Sequence, residues 1–193
     1  MWTPLSLGVF GIFVSSLLLN LIPFMGPSNM VIAGMMGVLF PTIDPFLIGL
    51  EVALGSAIAK TTHYCMAYWV KGRLGEEKRR RLERIGNRVG KWGAVMLFVA
   101  AATPIPDEPV VIPLGLMRYS PKKFFLVFFS GKIIITLIGA YGGRYLGSVL
   151  SAYFDNWVVI GLAAAFTILV TILMLKVDLE KSLKKIKLLR QSP

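Results

Sequence analysis

Residues 92–117 read WGAVMLFVAAATPIPDEPVVIPLGLM. The stretch is apolar enough for membrane depth, but Pro104, Pro106, Pro109 and Pro113 fall within ten residues and Gly115 follows. Each proline in a helix interior removes a donor and clashes with the turn before it, so one straight helix is excluded. Two shapes remain: a kinked spanning helix, or a hairpin that enters and leaves on one side. Broken backbone at membrane depth is tolerated only inside protein or against a water-filled cavity, and a re-entrant hairpin meets that condition. A second broken stretch, residues 23–40, carries Pro23, Gly26, Pro27 and Gly34.

Around these stretches lie four unbroken apolar runs, at about 5–22, 46–70, 124–146 and 155–176. At ~1.5 Å per residue, each is long enough to cross a hydrocarbon core of ~30 Å. The 193 residues are 55% hydrophobic and only 16% charged, against roughly 25% charged in a soluble domain. The fold class expected is an all-α integral membrane protein, with about four transmembrane helices and two opposed re-entrant helical hairpins. It forms a single membrane domain. No signal peptide is expected, since 5–22 has no Lys or Arg before it and no small-residue cleavage site after it.

The net charge is +11. The basic residues gather at the ends of apolar runs, as cytoplasmic flanks do, and no nucleic-acid partner is expected. Lys71–Lys91 holds nine Lys/Arg against three Glu. Glu77, Arg81 and Arg84 stand at helical spacing, with Leu82, Ile85 and Val89 as an apolar stripe, so a short surface helix is predicted. With this segment in the cytoplasm, a hairpin at 92–117 returns to a second basic loop at Arg118, Lys122 and Lys123. Helix 124–146 then goes out and helix 155–176 comes back to the Lys-rich tail. Read backwards, 46–70 starts outside, 23–40 dips in from outside, and 5–22 crosses. Both termini are then cytoplasmic in a multi-pass protein of the cell membrane.

A gapless shift of 81 places Pro23 on Pro104, Gly34 on Gly115 and Met36 on Met117. Each half then runs into a long helix ending in a similar phrase, GRLG at Gly72–Gly75 and GRYLG at Gly143–Gly147. The repeats run about 21–75 and 102–147, separated by the basic segment 71–91 and followed by helix 155–176 and the tail 177–193. Paired broken helices in inverted halves are a transporter architecture, with the site where the halves meet.

Ionisable groups at depth cost about 2.5–3.5 kcal/mol each on insertion scales, and mark function by default. Glu51, Lys60, His63 and Lys132 lie within the spanning runs, and Asp107 and Glu108 within TPIPDEP. Lys60 and His63 share a helix face, while Glu51 is about half a turn of azimuth away. Glu51 is read as either interfacial or functional, and His63 as a satisfied polar group. Asp107 or Glu108 is expected to pair with Lys132, and Lys60 is a further partner. Lysines suit phosphate as point charges, and the released acid could carry a proton. Enzyme signatures HExxH, GxSxG and the P-loop are absent. One His and one Cys, Cys65, leave no cofactor or metal to expect.

The chain resembles the DedA superfamily, also called the SNARE-associated Golgi protein or VTT-domain family, and is most similar to its small YqaA-like branch. The resemblance rests on IPFMGPSNMVIAG (Ile22–Gly34) and LGSAIAKTTHYCMAYWVKGRLG (Leu54–Gly75). It extends through GAVMLFVAAATPIPDEPVVIPLGLMRYSPKKFF (Gly93–Phe125) and SGKIIITLIGAYGG (Ser130–Gly143). It implies two opposed re-entrant hairpins and movement of lipid between leaflets. Members are linked to polyprenyl-phosphate recycling, phospholipid scrambling and the proton-motive force. Asn29 stands where many members have a hairpin glutamate, and Ala101 and Asp107 where many have arginines. Pro23, Pro27, Pro104, Pro106, Pro109, Gly34 and Gly115 are expected to shape the hairpins.

The function expected is therefore a transporter or scramblase for a phosphate-bearing lipid, either a phospholipid or a polyprenyl phosphate, with protons as a candidate coupling ion. The competing readings are a small-molecule or ion exporter on the same scaffold and a non-transporting assembly factor. The expected partners are membrane lipids; oligomeric state is not readable.

Overall fold

The computed structural model describes residues 4–22, 27–70, 76, 92–155, 157–170, 172, 173 and 176. They form seven helices, with no strand among the described residues. These are α1 (Pro4–Leu21), α2 (Asn29–Leu39), α3 (Pro45–Val70), α4 (Gly93–Ala102), α5 (Glu108–Leu116), α6 (Pro121–Ser151) and α7 (Trp157–Val170). Helix α6 is by length and composition able to cross a membrane; α1, α2, α4 and α7 are apolar but shorter over the described residues. Pro23 and the tail 177–193 lie outside the described residues, as does the predicted surface helix over Lys71–Lys91 apart from Glu76.

The proline-rich stretch folds as a helix, a turn and a returning helix. Pro104 and Pro106 sit in the turn, where no helical donor is needed, and Pro109 sits in the first turn of α5, where its missing N–H is not missed. Gly93 lies against Leu114 and Tyr119, so both ends of 92–117 are together. Arg118, just past α5, takes a positive φ of 56°, which turns the chain into α6. Its guanidinium rests 5.0 Å from the Tyr68 ring centroid.

The two halves are built alike. Helix α1 packs mainly on α3 and α4 mainly on α6, whereas α2 packs on α6 and α5 on α3. Exchanging the halves thus exchanges the contacts. Glycines make each crossing. A Cβ at Gly55 would lie 2.7 Å from the Phe13 carbonyl oxygen, and one at Gly131 would lie 2.7 Å from the Phe98 carbonyl oxygen. Gly55 and Gly131 each stand ten residues after the proline that opens their helix, Pro45 or Pro121. Gly34 meets the backbone of Gly139 and Gly143 on α6, and Gly115 meets Tyr64 and Ala67 on α3. The pair matched by the shift of 81 is therefore a pair of equivalent contacts.

The first half differs from the sequence reading. Gly8 lies against Ile43, Gly55 against Phe13 to Leu17, and the His63 ring reaches the Leu21 carbonyl. Helix α1 therefore runs alongside α3 in the same direction and begins at the end where α3 begins. The charge-based reading set 5–22 antiparallel to 46–70, whereas the two helices are parallel. Helices α1 and α2 together form the counterpart of α4 and α5. The reading erred because charge alone orients helices, and no Lys or Arg precedes Lys60.

Two apolar cores flank the middle of the bundle. One joins Ile12, Ile32, Ala33, Ile43, Ile48, Val52 and Ala140. The other joins Ala57, Tyr64, Leu97, Ala101, Val111, Leu114, Phe124 and Phe128. In the second, Tyr64 stacks on Phe124 at 4.4 Å between centroids, and its hydroxyl donates to the Tyr119 carbonyl.

Candidate functional site

Between the cores lies a buried polar layer made by the end of α1, the start of α2, the α4–α5 turn and the facing sides of α3 and α6. Asp107 is the residue before α5, a position at which an aspartate ordinarily accepts from the helix's own first N–H groups. Here it makes no such side-chain bond; only its main-chain carbonyl receives Val110 and Val111 N–H. Its carboxylate turns instead to two lysines. Oδ1 lies 3.2 Å from Lys60 Nζ and Oδ2 lies 2.8 Å from Lys132 Nζ. Glu108 also pairs with Lys60. All four side chains are at most 6% exposed. Lys132 Nζ is 5.2 Å from the Phe128 ring centroid, a second favourable contact for a desolvated ammonium.

Among the described residues the cluster holds two positive and two negative charges. Burial of each ion is costly, and mutual pairing recovers much of that cost. Lys132 stands eleven residues into α6, roughly 16 Å from its start at helical rise. Lys60 reaches the same acid from α3, so one carboxylate ties the two long helices and the α4–α5 turn together.

The first half contributes a neutral counterpart. Asn20 and Asn29 exchange two amide bonds, Asn20 Nδ2 donating to Asn29 Oδ1 at 2.8 Å and Asn29 Nδ2 to Asn20 Oδ1 at 3.1 Å. Asn20 also donates to the Ser16 carbonyl at 2.9 Å, and Ser56 Oγ donates to Asn20 Oδ1 at 3.3 Å. Ser16 Oγ donates to the Val52 carbonyl at 2.8 Å. Ser56 follows Gly55 as Lys132 follows Gly131, so the serine of one cluster and the lysine of the other hold matching places. Ser56 and Lys60 are one turn apart on α3, which joins the clusters into one layer.

Of the residues singled out from sequence, Asp107, Glu108, Lys60 and Lys132 converge. Asn29 is buried at the same layer, but its partner is Asn20. Glu51 does not join; it is half-buried on α3, nine residues before Lys60. His63 Nε2 donates to the Leu21 carbonyl at 3.0 Å, while its Nδ1 is buried with no partner among the described residues. Sequence reasoning assigned no site role to Ser16, Asn20, Ser56 or Arg144. The first two stand four apart in a largely apolar run, a helical spacing that puts them on one face. Arg144 donates from Nε to the Gly37 carbonyl at 3.3 Å and from Nη2 to the carbonyls of Phe40, at 3.0 Å, and Ile43. It caps the end of α2 and the turn into α3. No group of acids, histidines and cysteines suited to a metal occurs among the described residues.

Large apolar side chains cover much of the exterior, while Lys60, Asp107, Glu108 and Lys132 are buried inside. Leu18, Met66, Leu126, Phe166 and Ile168 are all exposed, and exposed aromatics gather at both ends, with Trp69 and Trp92 at one and Tyr145, Tyr153 and Trp157 at the other. That inversion of the water-soluble pattern, on an all-helical frame, defines a membrane-associated helical protein built from two like halves. A family model for the VTT domain matches residues 22–145, well over half of the chain. The chain belongs to that family, the DedA/SNARE-associated Golgi protein family. No curated protein and no solved structure matches it.

Proposed function

We propose that this protein is a multi-pass carrier of the cell membrane that moves a phosphate-bearing lipid, a phospholipid or polyprenyl phosphate, between leaflets. In this reading the pairs α1–α2 and α4–α5 are re-entrant hairpins entering from opposite faces. The observation that carries it is Asp107 shared between Lys60 and Lys132 at the layer where those pairs meet. A phosphate arriving there competes with Asp107 for Lys132. The freed carboxylate then takes up a proton, which restores the charge balance of the layer. No bond is made or broken in the lipid, so the activity is transport and not catalysis.

Charge supports the orientation. Lys71–Lys91 and the Arg118–Lys123 loop face the cytoplasm, as does the tail after α7. Since α1 runs with α3, its first residues lie outside, opposite to the side expected from charge alone. The test is the purified full chain in liposomes. Movement of a labelled phospholipid and of polyprenyl phosphate is measured with and without an imposed pH difference. Transport of either lipid, lost in Lys132→Gln, is the expected result. Movement of a small anion with neither lipid would replace this reading by that of an exporter. No movement of any of them would favour an assembly factor.

A further inference from the structure

Helices α4 and α6 lie side by side in the same direction, Gly93 beside Tyr119 and Ala101 beside Gly131. Their outward faces do not close on each other. Ala94, Val95 and Phe98 of α4, with Leu126, Val127 and Ser130 of α6, line an open groove of about 410 Å³. The groove is apolar, since Ser130 turns its hydroxyl hydrogen onto the Leu126 carbonyl at 2.8 Å. It is also separate from the charged layer, because Lys132 faces the interior while Ser130 faces out.

The groove itself is apolar, and the stretch of α6 just before it is cationic. Lys122 and Lys123 stand one turn before Leu126 and Val127 on the same face of α6, and both are exposed. Neither has an ion-pair partner among the described residues. No side chain caps the start of α6. Its first free N–H groups and the positive end of its dipole add to the two ammonium groups. Trp92, 66% exposed at the start of α4, lies at the same level, where an indole suits the boundary between headgroups and acyl chains. A cation pair and a tryptophan at headgroup level, above an apolar groove little more than one helical turn long, complement an amphiphile with an anionic head.

We propose that this groove binds one anionic phospholipid, with an acyl chain between α4 and α6 and its phosphate against Lys122 and Lys123. The site is independent of the central layer and does not rest on the transport reading. A zwitterionic lipid meets the same slot but brings a compensating positive charge to the two lysines, so it binds more weakly.

The full chain, purified in a mild detergent and exchanged against equal amounts of phosphatidylglycerol and phosphatidylcholine, tests this by native mass spectrometry with thermal unfolding in parallel. Wild type should retain one phosphatidylglycerol at least tenfold over phosphatidylcholine. Lys122→Gln with Lys123→Gln should abolish that preference. Val95→Trp, at an exposed position on the rim, should fill the slot and lower retention of both lipids. Lys132→Gln should leave the preference in place. Equal retention of the two lipids by wild type would overturn the site, as would no retained lipid. So would a preference that survives the double glutamine change, or full retention in Val95→Trp. Loss of the preference in Lys132→Gln would move the lipid to the central layer and overturn it equally. The unfolding curves in lipid-free detergent show which variants are folded, and the exposed lysine pair supplies the arm least exposed to misfolding.

Discussion

Asp107 and Lys132 do not depend on each other equally. Asp107 pairs with Lys60 at 3.2 Å as well as with Lys132 at 2.8 Å. Lys132 has Asp107 as its one acidic partner among the described residues, and the Phe128 ring as its other contact. Removing the acid strands a buried ammonium, whereas removing that ammonium leaves the acid paired.

The first prediction follows from that asymmetry. Breaking a buried pair from one side costs about 3–5 kcal/mol when the remaining charge has nowhere to go. Asp107→Asn should therefore destabilise the protein by that order, and Lys132→Gln by clearly less. The double variant leaves Lys60 with Glu108 and no stranded charge, so it should be more stable than Asp107→Asn alone. Thermal unfolding of the three purified variants in one detergent gives the cycle. Losses that simply add, or a larger loss in Lys132→Gln, would show that the charges act separately.

The second concerns the helix crossings. A Cβ at Gly131 would meet Phe98 main chain at 2.7 Å and Ala101 Cβ at 2.9 Å, neither of which can swing aside. Gly131→Ala should force α4 off α6 and cost about 1–3 kcal/mol, the range for overpacking. At Gly142 nothing lies within 4 Å of the added carbon. Gly142→Ala should be neutral or stabilising by up to about 1 kcal/mol, since alanine loses less backbone entropy in a helix. The same unfolding assay separates them, and equal behaviour of the two glycines would deny that α4 and α6 touch here.

Much of this was readable in the chain. Pro104 and Pro106 placed the turn between α4 and α5, while Pro113 is carried inside α5, and the cost of buried charge picked out Asp107, Glu108, Lys60 and Lys132. The shift of 81 found Gly34 and Gly115 because the short helices α2 and α5 align without a gap. It missed Gly55 and Gly131, which are 76 apart, because the chain from Gly115 into α6 is five residues shorter than that from Gly34 into α3. The direction of α1 was hidden for another reason. An apolar run without charge carries no sign of which end is which, and only its packing against α3 orders it. Glu51 illustrates the converse, a charge at apparent depth that the fold leaves outside the layer.

The third prediction tests the neutral cluster. Asn20 and Asn29 satisfy each other, so Asn29→Leu leaves the Asn20 amide short of one acceptor and its carbonyl short of one donor. An unsatisfied buried group costs about 1–3 kcal/mol, whereas replacing both partners by apolar groups is nearly neutral. Asn20→Leu with Asn29→Leu should thus recover part of the loss seen in Asn29→Leu. A double variant less stable than either single one would mean that Ser16 and Ser56, not the amide pair, organise this end of the layer.

The last prediction concerns Arg144, whose guanidinium gathers the carbonyls of Gly37, Phe40 and Ile43. Those carbonyls end α2 and carry the chain into α3, and a helix end leaves such acceptors unpaired unless something reaches them. Arginine does so because its planar fork offers several donors in fixed directions, which a lysine ammonium cannot copy. A hydrogen bond from a charged donor contributes about 1.5–3 kcal/mol, so losing the fork should loosen this turn locally before the bundle unfolds. Backbone hydrogen exchange at residues 37–44 should accelerate at least tenfold in Arg144→Gln, while exchange around Gly115 and Tyr119, in the corresponding turn of the other half, should not change. Arg144→Lys should restore only a part of the protection, because one ammonium can reach one or two of the three carbonyls. Unchanged exchange in Arg144→Gln would show that the turn is held by Ile43 in its apolar core alone. Full protection in Arg144→Lys would show that charge, not the geometry of the fork, is what the turn needs.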